Sequence, residues 1–298
     1  VALIAHRLPQ NVEGEFYVDD TCIDCDACRQ IAPETFRDHG NQSSVGRQPA
    51  TPEEIHRALM ALVACPTASI GTISRGAPGS HRNAREAARA FPTNVYDNVF
   101  FCGFTSEASF GAWSYLIVRS PAEGGNVLVD SPRFAGPLVR RIEEMGGVAL
   151  MFLSHRDDIA DHARFAAHFH CPRVMHQGDG AARLGIEQVT EGEEPVPLGP
   201  DLTSIPTPGH TRGHQVLLYR HQVLFTGDHL AWSPARDTLI AFRDACWYSW
   251  SVQTRSMERL LDYRFEWVLP GHGRIHHAPA AEMHEHLERC VAWMQTQR

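Results

Sequence analysis

The sequence predicts an α+β protein of two domains joined by a short linker, and three observations predict it. Cys22, Cys25 and Cys28 crowd into one short run, with a fourth cysteine in Ala64-Cys65-Pro66. Between Ser74 and Pro92 the composition turns Gly/Pro/Ser-rich and then Arg/Ala-rich, as a linker does. Beyond it, short apolar strands alternate with amphipathic helices, the pattern of sheets covered by helices. The expected limits are 1–75 for the first domain, 76–92 for the linker and 93–298 for the second domain.

In the first domain, a loop wound at C-x-x-C-x-x-C spacing points three thiolates at one corner of a cubic cluster. The amphipathic stretch Pro52–Ala64 predicts a helix leading into the fourth, Cys65. Zinc knuckles prefer two separated C-x-x-C pairs, so three cysteines in one run plus a lone Cys-Pro favour iron–sulfur. From about Gly14 to Ser74, including Ala32-Pro33-Glu34-Thr35-Phe36 after the third cysteine, the chain resembles single-cluster bacterial-type ferredoxins. The resemblance implies one 4Fe–4S cluster on Cys22, Cys25, Cys28 and Cys65. Asp24 and Asp26 beside it are expected to lower its potential, or simply to solvate the loop.

In the second domain, strands are expected at Val99–Gly103, Tyr115–Val118 and Val127–Asp130, followed by a helix over Phe134–Met145. The strand Val148–Leu153 then runs into Ser154-His155-Arg156-Asp157-Asp158-Ile159-Ala160-Asp161-His162. A helix over Asp158–His170, a strand Pro172–His176 and a C-terminal helix Ala278–Gln297 follow. Imidazoles and carboxylates at a strand end, where the scaffold is rigid and side chains can converge, suit a metal. Thr207–His214 (T-P-G-H-T-R-G-H), Phe225–His229 (F-T-G-D-H) and Leu269–Gly273 (L-P-G-H-G) complete the set.

Those motifs, preceded by Asn126-Val127-Leu128-Val129-Asp130-Ser131, occur in the order of the metallo-β-lactamase superfamily, and their spacing resembles its glyoxalase II-like hydrolases. The resemblance spans about Tyr96 to Arg289 and implies an αββα sandwich with one or two metals at the seam between its sheets. It implies metal ligation by His210, Asp228 and His272, with Asp228 shared between two sites. The superfamily's first motif, H-x-H-x-D-H, is altered here. Laid on without gaps, its second His is His155 and its Asp is Asp157, while Leu153 replaces the first His and Asp158 the last. A rival register needs a two-residue insertion to reach Asp161 and His162. The ungapped register is preferred because it keeps the ligands before the helix and sets the acidic pair near a helix N-terminus.

One site then keeps His155 and His210; the other has Asp157, Asp158 and His272, with Asp228 common to both. Carboxylate in place of imidazole hardens the centre and moves preference from zinc toward iron or manganese. Asp157 and Asp158 are the candidate catalytic residues, and His162, His176 and His214 are further candidate ligands. His276, His277, His284 and His286 are expected to be solvated. Cys102, Cys171, Cys246 and Cys290 are expected to be buried thiols. The run Cys246–Trp250 is expected to be core rather than pocket.

Composition narrows the function. The net charge of −8, from 27 basic and 35 acidic residues, argues against nucleic acid bound by general electrostatics. All 27 basic residues are Arg, which excludes lysine-nucleophile chemistry. No apolar run is long enough for a membrane helix, and the cysteine pattern is not that of a secreted disulfide scaffold. A reducing soluble compartment is expected, cytoplasm or alternatively plastid stroma; a start at Val1 fits a processed or trimmed chain. Three functions fit: a metal-dependent hydrolase of an ester- or thioester-type small molecule; a redox enzyme, served by a redox partner protein, whose cluster feeds an iron site; or a non-catalytic cluster carrier that binds a partner. Retention of His210, Asp228 and His272 in their proper loops speaks against the last.

Overall fold

Around the four cysteines the chain forms β1 (Phe16–Val18), α1 (Ala27–Ile31), β2 (Phe36–Asp38), β3 (Ser43–Val45), α2 (Pro52–Ala64) and β4 (Ile70–Thr72). The computed structural model describes residues 1–74 and 80–297. They fall into two units, Val1–Leu116 with Pro132–Gly147 and Ile117–Ser131 with Val148–Arg298.

In the first unit, α2 has the limits the sequence predicts. Thr51 and Glu54 close a capping box and a proline occupies the first turn, so the helix starts there and nowhere else. It buries Ala58, Leu59 and Ala61 against Phe16, Val18, Phe36, Val45 and Ile70. β1 pairs antiparallel with β4, which returns the chain after Cys65 to the strand that precedes Cys22. The expected linker carries α3 (Ser80–Arg89), while residues 75–79 of it lie outside the described residues. Next come the hairpin β5 (Thr93–Tyr96) and β6 (Val99–Phe101), and later α4 (Gly136–Glu144). Segments after residue 92 pack with the cysteine-bearing part: Thr105 donates to the Ala64 carbonyl (2.7 Å) and Arg133 to the Val63 carbonyl (3.0 Å). Both cap carbonyls that the end of α2 leaves unpaired.

The chain passes to the second unit within β7 (Tyr115–Ile117). There β8 (Val127–Val129), β9 (Leu150–Phe152), α5 (His162–Phe169), β10 (Arg173–His176) and β11 (Gln188–Thr190) follow. These four strands lie in the order β11-β10-β9-β8, all parallel. A second sheet is built from β12 (Val196–Gly199), β13 (Leu202–Pro206), β14 (Gln215–Tyr219) and β15 (Val223–Gly227). After a small hairpin, β16 (Ala231–Ser233) with β17 (Thr238–Ile240), and α6 (Trp250–Leu260), it is completed by β18 (Trp267–Pro270) and β19 (His276–His277). Helix α7 (Ala280–Thr296) ends the chain.

Every residue of β14 and β15 is buried, so both faces of the second sheet are covered. On one face Val216, Leu218 and Leu224 pack against Met257 and Leu260 of α6 and Met283, Leu287 and Met294 of α7. Gln215 stitches the sheets together: its amide donates to the Leu153 carbonyl (3.0 Å), and its carbonyl accepts from Thr190 and Ser204 (2.8 Å each). Parallel strands send their carboxyl ends the same way. The loops after β8, β9 and β10 therefore share one edge, as do those after β15 and β18.

Helix α5 starts at His162, not at Asp158 as expected. Ala160 takes a left-handed backbone (φ 25°) that breaks any earlier turn. The acidic pair therefore owes nothing to a helix N-terminus, and other groups must account for the burial of Asp158.

Candidate metal centre and cluster loop

Asp24 and Asp26 wind the cysteine loop by taking left-handed backbone conformations (φ 59° and 64°). Buried Arg29 donates to both carboxylates, to Asp24 at 2.7 Å. Both acidic charges beside the cysteines are thus paired with a guanidinium. Burial pushes the Cys25 thiol up to about 12 and those of Cys22 and Cys28 upward, and the other cysteines, Cys65 included, add to each shift. Sulfurs that repel one another in this way suit a cationic cage. The amides of Ser43 and Ser69 point at Cys22 Sγ (3.4 Å) and Cys65 Sγ (3.3 Å), the kind of contact that tunes a cluster's potential.

In the second unit the four motifs meet. Ligand atoms of His155, Asp157 and His210 lie within 4.8 Å of one another, and so do those of His155, Asp158 and Asp228. His155 Nε2 is 3.7 Å from Asp228 Oδ2, and His210 Nε2 is 3.8 Å from the same oxygen. Asp157 Oδ2 sits 3.6 Å from His210 Nε2 and 4.0 Å from His155 Nε2. His272 Nδ1 lies 2.7 Å from Asp228 Oδ1. Buried, unpartnered donor atoms test whether a cation fits. His155 Nε2, His210 Nε2 and both Asp158 carboxylate oxygens are buried without a hydrogen-bond partner, a costly arrangement unless a ligand satisfies them. The backbone leaves room for them. A β-carbon on Gly271 would lie 2.6 Å from Asp158 Oδ2 and 2.9 Å from Asp228 Oδ1. The donor set fits a divalent cation.

Electrostatics divides the carboxylates. Burial, reinforced by Asp228, raises Asp158 well above the carboxylate range. Burial opposes ionisation of Asp228 too, but His272, His155 and His210 hold it well below that range. The nearby His210 imidazole, with help from His155 and Arg156, lowers Asp157, which is half-exposed. Burial brings His155 down to about 4, so it is neutral at physiological pH, as a ligating imidazole must be.

Several of these groups are oriented by residues that the sequence reading did not single out. Asp130, at the end of β8, accepts from the Ser154 amide (2.7 Å) and hydroxyl (2.9 Å), and Ser154 Oγ meets His155 Nδ1 (2.9 Å). The chain of contacts aims His155 Nε2 at the centre. Buried Asp179, after β10, accepts from the Arg156 amide (3.0 Å), the Thr211 hydroxyl (2.6 Å) and the Gly213 amide (2.7 Å), joining two ligand loops. Buried His229 has no hydrogen-bond partner at either ring nitrogen and stacks on His214, with centroids 5.1 Å apart. An acidic residue directly after an apolar strand was the available signal for Asp130, and a Gly-flanked Asp after β10 was the signal for Asp179.

Each secondary candidate has a partner of its own, although the His214 ring also lies 5.1 Å from that of His155. His162 Nδ1 faces Arg173 (3.0 Å). His176 meets the Gly192 carbonyl and the Gly178 amide with its two ring nitrogens. His214 Nδ1 meets Thr207 Oγ1 (2.9 Å), in line with a loop-supporting role. Not all the C-terminal histidines are solvated as expected: His286 is buried, and His276 stacks on Trp232 at 3.5 Å. Helical spacing puts His286 on the same face as Met283, Leu287 and Cys290. Of the run Cys246–Trp250, Trp250 packs against the core as expected, but its neighbours do not. Trp247 and Tyr248 are 62% and 51% exposed, and their amides both donate to the His210 carbonyl (2.9 and 3.1 Å). They rim the metal loop. Cys246 is half-buried, whereas Cys102, Cys171 and Cys290 are buried thiols as expected.

Residues 18–72 match the family model of the 4Fe-4S single cluster domain of ferredoxin I. Over 111 residues the chain is 31% identical to a hydroxyacylglutathione hydrolase of Erwinia tasmaniensis, covering 36% of this chain and 44% of that protein. A hydroxyacylglutathione hydrolase of Citrobacter koseri is 32% identical over 122 residues, 39% of this chain and 47% of that one. The chain thus spans less than half the length of these relatives. Among solved structures, the DIM-1 metallo-β-lactamase exposed to ceftazidime superposes with a TM-score of 0.51 at 18% identity, over 67% of this chain and 95% of that one. A metallo-β-lactamase from Pontibacter korlensis gives 0.51 at 18%, over 69% and 98%. The chain carries a ferredoxin-type 4Fe–4S domain at its amino end and a metallo-β-lactamase fold across the rest.

Proposed function

We propose that the chain is a metal-dependent hydrolase of an ester- or thioester-type small molecule, attached to a domain holding one 4Fe–4S cluster on Cys22, Cys25, Cys28 and Cys65. In this reading the cluster domain is 1–75, the linker 76–92 and the hydrolase domain 93–298. The observation that carries the reading is the meeting of His155, Asp158 and Asp228 donor atoms within 4.8 Å, with His155 Nε2 and both Asp158 oxygens otherwise unpartnered. One or two divalent cations would be held by His155, His210 and Asp157 on one side and by Asp158 and His272 on the other, with Asp228 between. A divalent cation supplies Lewis acidity, acidifying water and polarising a carbonyl.

The chain's own residues do the remaining work. Neutral His155 presents a lone pair, kept so by burial and by the Ser154 contact at its Nδ1, and His210 Nε2 faces the same Asp228 oxygen. Asp157 is the half-exposed carboxylate, ionised at neutral pH and reachable by water and substrate, so with Oδ2 turned to the imidazoles its other oxygen, Oδ1, is the one placed to take a proton. Asp158 adds buried negative charge where the superfamily pattern has imidazole, and iron or manganese is preferred over zinc for that reason. The hydroxyacylglutathione hydrolases it partly matches bring the thioester class to this chain. Eight free cysteines suit a reducing compartment, the cytoplasm in this reading. No helix among the described residues is long and apolar enough to cross a membrane.

A second reading is favoured by the carboxylate-rich donor set beside a ferredoxin-type domain: electrons passing from a redox partner through the cluster to an iron centre. The test is thioester hydrolysis by anaerobically purified, metal-loaded protein with the cluster oxidised and then reduced. Turnover indifferent to cluster state supports hydrolysis. Absence of turnover, with reoxidation of the reduced cluster accelerated by oxygen, peroxide or nitric oxide, would replace it with the redox reading.

A further inference from the structure

Several arginines of the second unit have a carboxylate partner: Arg173 meets Glu187, Arg220 meets Glu123, Arg259 meets Glu193 and Arg264 meets Glu266. Arg183, Arg212 and Arg255 form no side-chain hydrogen bond or ion pair among the described residues, and all three line one cleft of about 720 Å³. They come from three separate elements: the turn Ala181–Leu184, the loop between β13 and β14, and helix α6. In a chain of net charge −8, gathering uncompensated guanidiniums sets like charges against one another. The only carboxylate lining the cleft is Glu193, which faces Arg259 at 4.0 Å. The Arg183 guanidinium folds back over Gly180, with Nη2 2.9 Å from where a β-carbon would sit, so its position depends on that glycine.

The cleft adjoins the metal centre through shared backbone. Pro208 and Arg212 in its wall flank His210 on the same loop. Tyr248, which also lines it, donates its amide to the His210 carbonyl at 3.1 Å. Arg212 lies two positions from His210, at most ~7 Å of backbone, a distance within the span of one small molecule.

We propose that this cleft binds the anionic arm of the substrate, a carboxylate- or phosphate-bearing group, while its reacting carbonyl lies at the metal centre. Guanidiniums pair with planar carboxylates and with phosphates through two parallel hydrogen bonds, and three of them on separate elements match an arm with two or more anionic oxygens. The proposal rests on the hydrolase reading for its substrate, but anion binding can be measured apart from turnover.

The test is calorimetric titration of the full chain, cluster and metal loaded, with inorganic phosphate and separately with succinate. It is run on the parent and on R183Q, R212Q and R255Q, with R264Q, whose parent side chain faces Glu266 outside the cleft, as the control. Each cleft substitution is expected to weaken binding about tenfold, R264Q to leave it unchanged, and added salt to weaken the parent. Whichever anion binds more tightly identifies the arm. Cluster absorption and metal content report whether each variant is folded; if a glutamine variant is not, R212K keeps the charge, loses the paired geometry and should fall between. Thioesters sharing an acyl group but carrying either a neutral or a dicarboxylate thiol are compared in parallel. The preference for the anionic one should shrink about tenfold in R212Q and R255Q, through KM. Equal anion binding by the parent and the cleft variants overturns the proposal. Loss of anion binding in the variants with neither thioester cleaved keeps the anion site and removes the hydrolase reading.

Discussion

Asp158 is a buried carboxyl group whose oxygens have no hydrogen-bond partner and whose neighbours include Asp228 and Asp130, both of which push its pKa further up. A cation is the partner such a group lacks. D158N should therefore lower metal affinity by at least ~10-fold, while D158H should restore affinity and move the bound metal toward zinc; competitive metal titration reads both. Equal iron-to-zinc preference in the parent and D158H would remove the carboxylate argument. Individual donors were legible when they stood in motifs with chemical spacing, as the cysteines and His155, His210, Asp228 and His272 do. Asp130, Ser154 and Asp179 were not, because their work is to hold other residues and their types are common in loops.

Among the elements, the turn before His210 is held by contact. Gly209 adopts φ +151°, and a β-carbon there would lie 2.3 Å from Gln253 Cα on α6. The same helix donates from the Ser256 hydroxyl to the Pro208 carbonyl (2.6 Å). G209A should destabilise the fold by about 2 kcal/mol or more and reduce metal binding, both measurable by thermal melting with and without metal. A melting temperature equal to the parent's would mean that α6 does not brace the loop. At the start of β10, Arg173 hydrogen-bonds Glu187 and holds its carboxyl down to about 2 against 4.5 in its ordinary state. The folded pKa lies below the unfolded one, so this contribution is present above pH 4.5 and is lost as pH falls toward 2. E187Q should flatten the acid limb of the stability profile in that window; an unchanged limb would count against the pairing. Helix α2 was legible to the residue because its caps are local. The start of α5 was not, since the loop before it is shaped by the ligand cluster.

Across the whole molecule, the two proposed inorganic sites belong to different units. All four candidate cluster cysteines fall in Val1–Leu116, and all six principal ligand candidates of the proposed metal centre fall in Ile117–Ser131 with Val148–Arg298. C25S should abolish cluster iron and acid-labile sulfide yet leave the other centre's metal content unchanged, as elemental analysis of the two proteins would show. Loss of both metals together would mean that the centre depends on the cluster for its assembly.

Cysteine spacing, the capping box of α2 and the four polar loops are written locally, and short-range geometry makes them readable in one dimension. The sequence alone therefore determined the iron–sulfur half, the two kinds of sheet-forming segment and the ligand types. Tertiary structure decided what depends on which surfaces meet. Packing of residues beyond 92 against the cysteine-bearing part fixed where one unit ends. Contact between strand ends decided that Asp158 meets His155 and Asp228 while His162 and His176 find other partners, and that Trp247 and Tyr248 are exposed beside the His210 loop while His286 is buried. Burial and convergence are properties of distant segments brought together, and no periodicity along the chain records them.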